Sequence, residues 1–216
     1  MYRDLLYEVK DTVAVITINR EAQGNAFSAD TYGEIIDAMN RVNLDESVKV
    51  AIITGIGKNF CAGGDIDVFQ KLITEGKTIE EIDVIMTGDL VKSVKYNRKP
   101  IIASVNGVSA GAGMGLALAC EFIIVGHSTK FLTAFIDMAL PGDTVLMSTL
   151  QASIGIHRTA RHMMLNEPID AKLAQDYGLV YDIVEDDEIM SSALALAEKL
   201  AKTSSQAIEY QKAILP

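Results

Sequence analysis

"ASVNGVSAGAGMGLALAC", residues 103 to 120, begins as a strand and ends as a helix built almost wholly of small residues. Its β-branched apolar run stops at Asn106-Gly107, and the "GAGMGLALAC" that follows has too little bulk for a surface helix and suits a tightly packed, buried one. The first turn of a helix leaves backbone N–H groups without partners, and small residues there let another backbone or a ligand approach closely. A second stretch of this kind, "NFCAGGDIDVF" at 59–69, follows the apolar run "VKVAIITG" at 48–55. Close helix packing explains either stretch alone. Two glycine-rich breaks at the ends of two core strands also supply two sets of N–H donors that can meet on one developing negative charge.

Outward from these breaks, further β-branched runs predict strands: "VAVITIN" (13–19), "PIIASVNG" (100–107), "EFIIVG" (121–126) and "GLVYDIV" (178–184). Helical spacing of apolar residues marks "SADTYGEIIDAMNRVNLD" (28–45), with Ser28 as its N-cap, "TIEEIDVIMTGDLVKSVKY" (78–96) and "TVLMSTLQASIG" (144–155). Strands alternating with helices imply an α/β fold. No repeat, linker or low-complexity run interrupts the chain, whose last ~30 residues turn helical and rich in Ala, Lys and Glu. The expected division is a core over 1–184 and a helical carboxy-terminal segment over 185–216.

With 216 residues, 49% hydrophobic and 22% charged, the chain can bury one sizeable core unaided. No apolar run approaches the ~18 residues of a membrane helix, and the start "MYRDLLYEVKD" lacks the pattern of a signal peptide, so a soluble, cytoplasmic protein without a membrane partner is expected. A net charge of −10 with 19 scattered Lys and Arg argues against a nucleic-acid partner. Cys61 and Cys120 have neither CxxC spacing nor a nearby His, which predicts buried free thiols and no metal site.

The landmarks "NREAQGNAFS" (19–28), "GIGKNFCAGGDI" (55–66), "KPIIASVNGVSAGAGMGLALACEF" (99–122), "KFLTAFIDMAL" (130–140) and "AKLAQDYGLVYDIV" (171–184) together resemble the crotonase (enoyl-CoA hydratase/isomerase) superfamily over nearly the whole chain. The resemblance implies a spiral of β-β-α units with a helical carboxy-terminal part. It implies acyl-CoA substrates in fatty-acid metabolism, with coenzyme A as part of the substrate and no separate cofactor, and a homotrimer or a dimer of trimers. It implies an oxyanion hole for a thioester enolate made by the N–H groups of Gly64 and Ala112, the latter replacing the glycine usual at that place. CoA-binding positions fall at Asn25, Ala26, Ala62, Gly64, Asp65 and Ile66, while Arg20 and Lys58 are either phosphate ligands or solvated surface charges.

The family's hydratases use two glutamates, and their places hold Gly115 and Phe135, which do no acid/base work and are expected to line the acyl pocket instead. The remaining carboxylate is Asp143, where isomerases of this fold carry Glu or Asp. It is either a helix cap or the catalytic base, and one carboxylate can be both. Burial among Phe135, Met138, Leu140 and Met147 is expected to raise its pKa. Dehalogenase relatives attack an aromatic ring with an aspartate at this place, but use a Trp and a His where this chain has Phe135 and Gly88. The leading expectation is a Δ3/Δ2-enoyl-CoA isomerase-like enzyme. The alternatives are a hydrolase or dehalogenase using Asp143 and a catalytically silent CoA-binding homologue. Asp137 is expected at the surface, His127, His157 and His162 facing solvent, and Glu121 in a structural role. Related chains continue past "SSQAIEYQKAIL" with helices over the acyl pocket, leaving open whether this protein is short or its sequence cut.

Overall fold

The computed structural model describes residues 1–66, 74–75, 81–142 and 144–214. β1 (Leu5–Lys10) and β2 (Val13–Ile18) form an antiparallel hairpin, and β2 then starts a parallel series through β3 (Val50–Gly55), β4 (Ile101–Val105), β6 (Phe122–Gly126) and β9 (Asp182–Val184). Every residue of β3 and β4 is buried, as a parallel strand covered on both faces requires. Alternation divides their side chains. Ala51, Ile53, Ile101 and Ala103 join the core shared with α1 (Ala29–Leu44), α2 (Glu81–Lys95) and α3 (Ala112–Leu118). Val50, Ile52, Ile102 and Ile124 pack on the other face against Ile189, Ala193, Leu196 and Ala197 of α7 (Ile189–Ala201).

A second, smaller sheet runs β5 (Val108–Ala110), β7 (Lys130–Leu132), β8 (Ile169–Asp170). Single parallel bridges extend it beyond β5, from Ser109 to Cys61 and from Gly64 to Phe27. Successive passes of the chain thus give one long strand to the large sheet and one short extended step to the small one, which is the anticipated β-β-α spiral of the crotonase fold. α4 (Thr144–Ile154), α5 (Ile156–Leu165), α6 (Ala171–Asp176) and α8 (Ser205–Ile214) complete the described helices.

Local chemistry fixes the entry to α1. Ser28 Oγ accepts from Thr31 N–H at 3.2 Å and Thr31 Oγ1 accepts from Ser28 N–H at 3.1 Å, a reciprocal cap. Both hydroxyls donate to the buried Asp4 carboxylate, at 2.6 and 2.7 Å. Burial would raise the Asp4 pKa, but these hydroxyls and the Arg20 charge outweigh it and hold the carboxyl below its usual range.

The sequence runs do not separate β1, β5, β7, β8, α5 and α6; β5, β7 and β8 hold only two or three residues each, and β1 is largely exposed with Glu8 and Lys10 among its residues. The run 178–184 is a strand over Asp182–Val184 alone, because Gly178 sits at φ +75° and turns the chain before pairing with β6 begins. Among the described residues, no helix is long and apolar enough to cross a membrane.

Glu121 has the expected structural role, with a partner the sequence did not indicate. Its Oε2 accepts from the Ile101 N–H at 2.9 Å and from Lys212 Nζ at 2.8 Å, and Lys212 also donates to the carbonyls of Val94 and Lys99 at 3.1 and 2.9 Å. Arg98 makes a two-pronged pair with Glu209, so α8 is pinned at two points. Burial raises the Glu121 pKa although Lys212 pulls it down, so the stability linked to this group is complete below the range of a free glutamate and drains as pH rises through its folded pKa. Lys212→Met should therefore cost about 3–5 kcal/mol near neutral pH and less in acid. Urea melts at about pH 5 and about pH 8 check this, and an equal loss at both would remove the ionic explanation.

Candidate active site

The two glycine-rich breaks meet. Cys61 N–H donates to Val108 O at 3.1 Å and Ala110 N–H donates to Cys61 O at 2.8 Å, which lays one loop along the other. Gly63, at φ +102°, comes so close that a Cβ there would lie 3.2 Å from Ala110 O and 3.9 Å from Gly111 Cα. Gly111 turns into α3 at φ +48°, a left-handed conformation that glycine adopts without strain. A Cβ on Gly113 would stand 2.5 Å from Cys61 Cβ and 2.7 Å from its Sγ, closer than atoms pack.

Three asparagines tie the first loop to its surroundings. Asn25, fully buried, donates from Nδ2 to Ile56 O and Asn59 O at 2.9 and 2.6 Å and accepts from Arg20 N–H at 3.0 Å. Asn59 Oδ1 accepts from Val108 N–H at 3.2 Å, and Asn106 Nδ2 donates to Gly55 O and Gly57 O at 3.0 and 2.7 Å.

Accounting for backbone donors then isolates the reactive geometry. On the first loop Ala62 N–H goes to Gly24 O at 3.0 Å, Gly63 N–H to Cys61 Sγ at 3.3 Å and Asp65 N–H to Phe27 O at 3.0 Å. Gly64 N–H, in their midst, has no acceptor among the described residues. On the second loop Ala110 and Gly111 donate to Cys61 O and Leu132 O, and Gly115 donates to Gly111 O at 3.0 Å. The amides of Ala112, Gly113 and Met114, the first turn of α3, have no acceptor among the described residues. The Cys61 thiol beside them is no nucleophile, since complete burial pushes its pKa up to about 12. Cys120, also a free buried thiol, is raised by the same cause.

Phe135 closes one side. Its ring reaches from Gly111, where an added Cβ would lie 3.9 Å from Cζ, to Gly142, where one would lie 3.5 Å from Cδ2. Met147 Sδ and Met163 Cε approach the same point of Gly142 at 3.5 and 2.8 Å. Gly115 is buried inside α3, and an added Cβ would meet only Leu146 Cβ at 3.9 Å. Asp143 lies outside the described residues. Of the side chains expected to bury it, Met138 and Met147 are each 40% exposed in the single chain, so only Phe135 and Leu140 are partly buried.

The anticipated CoA positions divide by exposure. Ala62 and Ile66 face solvent, and Gly64 and Asp65 are half-buried beside them, whereas Asn25 and Ala26 are buried. Arg20 is neither a free phosphate ligand nor a surface charge: its guanidinium is 15% exposed, pairs with Asp4 at 3.3 Å and Asp65 at 2.9 Å, and donates to Ala26 O. Lys58 is exposed. His127 and His157 are exposed as anticipated, but His162 is wholly buried on α5, its Nδ1 2.8 Å from Glu167 O and its Nε2 3.2 Å from Tyr177 Oη. Sequence periodicity assigns no helix to Ile156–Leu165, and it is the inner face of that helix that buries His162. Asn166, after that helix, also escaped notice; the only signal was an Asn before Glu-Pro at a helix end.

Two loops at adjacent strand ends, over a β-β-α spiral, thus leave backbone amides free to donate to a ligand acceptor. The model of the enoyl-CoA hydratase/isomerase family matches residues 8–216, and the chain belongs to that family and to the crotonase superfamily. It is 29% identical over 192 residues to the trans-2-decenoyl-[acyl-carrier-protein] isomerase of Streptococcus mutans, covering 87% of this chain and 72% of that one. It is 30% identical over 214 residues to the crotonyl-CoA hydratase of Syntrophomonas wolfei, covering 98% and 81%. Among solved structures, an enoyl-CoA hydratase from Mycobacterium avium subsp. paratuberculosis superposes with a TM-score of 0.87 at 27% identity, over 98% of this chain and 80% of that one. The protein is an acyl-CoA enzyme of this family.

Two glycines of α3 should respond oppositely to alanine. Gly113→Ala must move Cys61 and should cost about 1–3 kcal/mol, whereas Gly115→Ala has room and should gain up to about 1 kcal/mol from helix propensity. Denaturant titration of the two variants checks this, and equal effects would contradict the contact geometry.

Proposed function

We propose that this enzyme moves a carbon–carbon double bond in an acyl-CoA thioester, as a Δ3/Δ2-enoyl-CoA isomerase does. The observation that carries the reading is the pair of unpaired amides, Gly64 and Ala112, at loops pressed together through Gly63 and Gly111. The thioester oxygen accepts from both N–H groups. Asp143 takes a proton from the α-carbon, the C–H electron pair spreads over the dienolate, and the same carboxyl returns the proton to the γ-carbon. Charge on the oxygen grows towards the transition state, so fixed amide dipoles favour that state over the bound substrate. CoA is carried as part of the substrate, along Ala62, Gly64, Asp65 and Ile66.

Two residues support isomerisation over hydration, Gly115 within α3 and Phe135 beside Gly111. Adding water takes groups that activate and protonate it, and Gly115 and Phe135 offer neither. Relatives bearing both hydratase and isomerase names stand at similar identity, so the choice rests on these residues. Self-association into a trimer or a dimer of trimers is part of the reading. Ile136, Met138, Met164 and Leu165, on the turn after Phe135 and the end of α5, are 48%, 40%, 71% and 65% exposed, an apolar face that a partner copy would cover.

A panel of 2-enoyl, 3-enoyl and aryl CoA thioesters tests the activity, with 3-enoyl-CoA expected to be converted to 2-enoyl-CoA. Asp143→Asn, which keeps most of the shape and capping capacity, should lower that rate by about a hundredfold or more while acyl-CoA affinity holds. Parental turnover in this variant would remove Asp143 from the mechanism, and faster hydration than isomerisation would overturn the isomerase reading. Light scattering at micromolar concentration should report a trimer or hexamer; a monomer would contradict the proposed assembly.

A further inference from the structure

Phe135 owes its place to a turn that is unfavourable by itself. Ala134, just before it, sits at φ +63°, a region alanine seldom occupies unless neighbouring groups hold it there. The holding group is Asn166, which ends α5 in a left-handed conformation at φ 48° and ψ 30°. Its Oδ1 accepts from Ala134 N–H at 2.9 Å and lies 3.3 Å from Thr133 Oγ1, while its Nδ2 donates to Asp137 Oδ2. Thr133 Oγ1 donates to His162 O at 2.9 Å, so the last turn of α5 accepts from the loop as well. One amide side chain therefore grips the segment before Phe135 and the segment after it.

We infer that Asn166 is a positioning residue that fixes the shape of the acyl pocket by clamping the Thr133–Asp137 turn, with Phe135 at its centre, against Gly111. This rests on the acyl-thioester reading for what the pocket holds; the clamp itself rests on the bonds above. Asn166 serves two ends: an Asn side chain tolerates the left-handed helix end, and only an amide supplies both the acceptor for Ala134 and the donor for Asp137. Glycine would keep the first property and lose the second. Aspartate would keep the acceptor and set a carboxylate against Asp137.

The test compares the parent with Asn166→Gly, Asn166→Asp and the double variant N166D/D137N, in which donor and acceptor exchange places. Amide exchange at Ala134 reads the clamp without any ligand and should speed up in both single variants and recover in the double one. The kcat/KM ratio between a short linear and a bulky acyl-CoA thioester should shift by about tenfold or more in Asn166→Gly and return towards the parent in N166D/D137N. A merely structural Asn166 would lower melting temperature and all substrates alike. Unchanged Ala134 exchange in the single variants, or an unchanged ratio in them, would overturn the inference. If the parent turns over no acyl-CoA, the proposed function falls, and the clamp then stands or falls on the exchange result alone.

Discussion

The first turn of α3 crosses Cys61 at a separation too small for a side chain, and the site depends on that crossing. Gly113 leaves no room for a Cβ there, a Cβ on Gly63 would sit tightly at 3.2 Å from Ala110 O, and one on Gly111 would be in ordinary contact with Gly63 Cα at 3.8 Å. Register does the rest: β3 and β4 are parallel neighbours, so their ends lie together, and both chains then step into the small sheet through the Cys61–Ser109 bridge. The pairing that joins the loops takes the amides of Cys61 and Ala110. The amides of Gly64 and Ala112 lie outside that pairing and have no acceptor among the described residues.

Charge around the site is already committed to the fold. Arg20 ties Asp4 to Asp65 of the first loop, Asn25 and Asn106 donate to carbonyls of the segment that leads into that loop, and Asn59 within it accepts from the Val108 N–H. This polar scaffold keeps a loop rich in small residues in one conformation, which small residues cannot do for themselves. A rigid pair of dipoles stabilises an oxyanion without reorganising as charge develops. The opposite wall is apolar and built on turns, with Phe135 spanning from Gly111 to Gly142. One side of the site is thus set by backbone pairing and the other by side chains on loops.

The glycine-rich breaks, the core strands that precede them and the Ser28 cap were legible in the sequence because each is local. A β-branched run, a small-residue helix start or a hydroxyl before an apolar-periodic stretch carries its reason within a few residues. The family landmarks extended this to the two amides, since the motif order survives even where the middle glycine is Ala112. The places of Gly115 and Phe135, where neither can move a proton, were equally a matter of sequence.

What lay beyond the sequence joins segments far apart in it. Lys212 finds Glu121 across 91 residues, Arg20 finds Asp65 across 45, and Asn166 finds Ala134 across 32, and nothing in either member of a pair announces the other. His162 looked solvent-facing because it stands in a basic run, yet the inner face of α5 buries it against Tyr177. The sequence by itself determined the buried strands of the large sheet, the helix capped by Ser28 and where the backbone must lack side chains, because conformational preference and steric size are properties of single residues and their neighbours. Only the tertiary structure decided which charges are buried, which amides are left free and how Phe135 is held, because those depend on what the rest of the chain brings within hydrogen-bond distance.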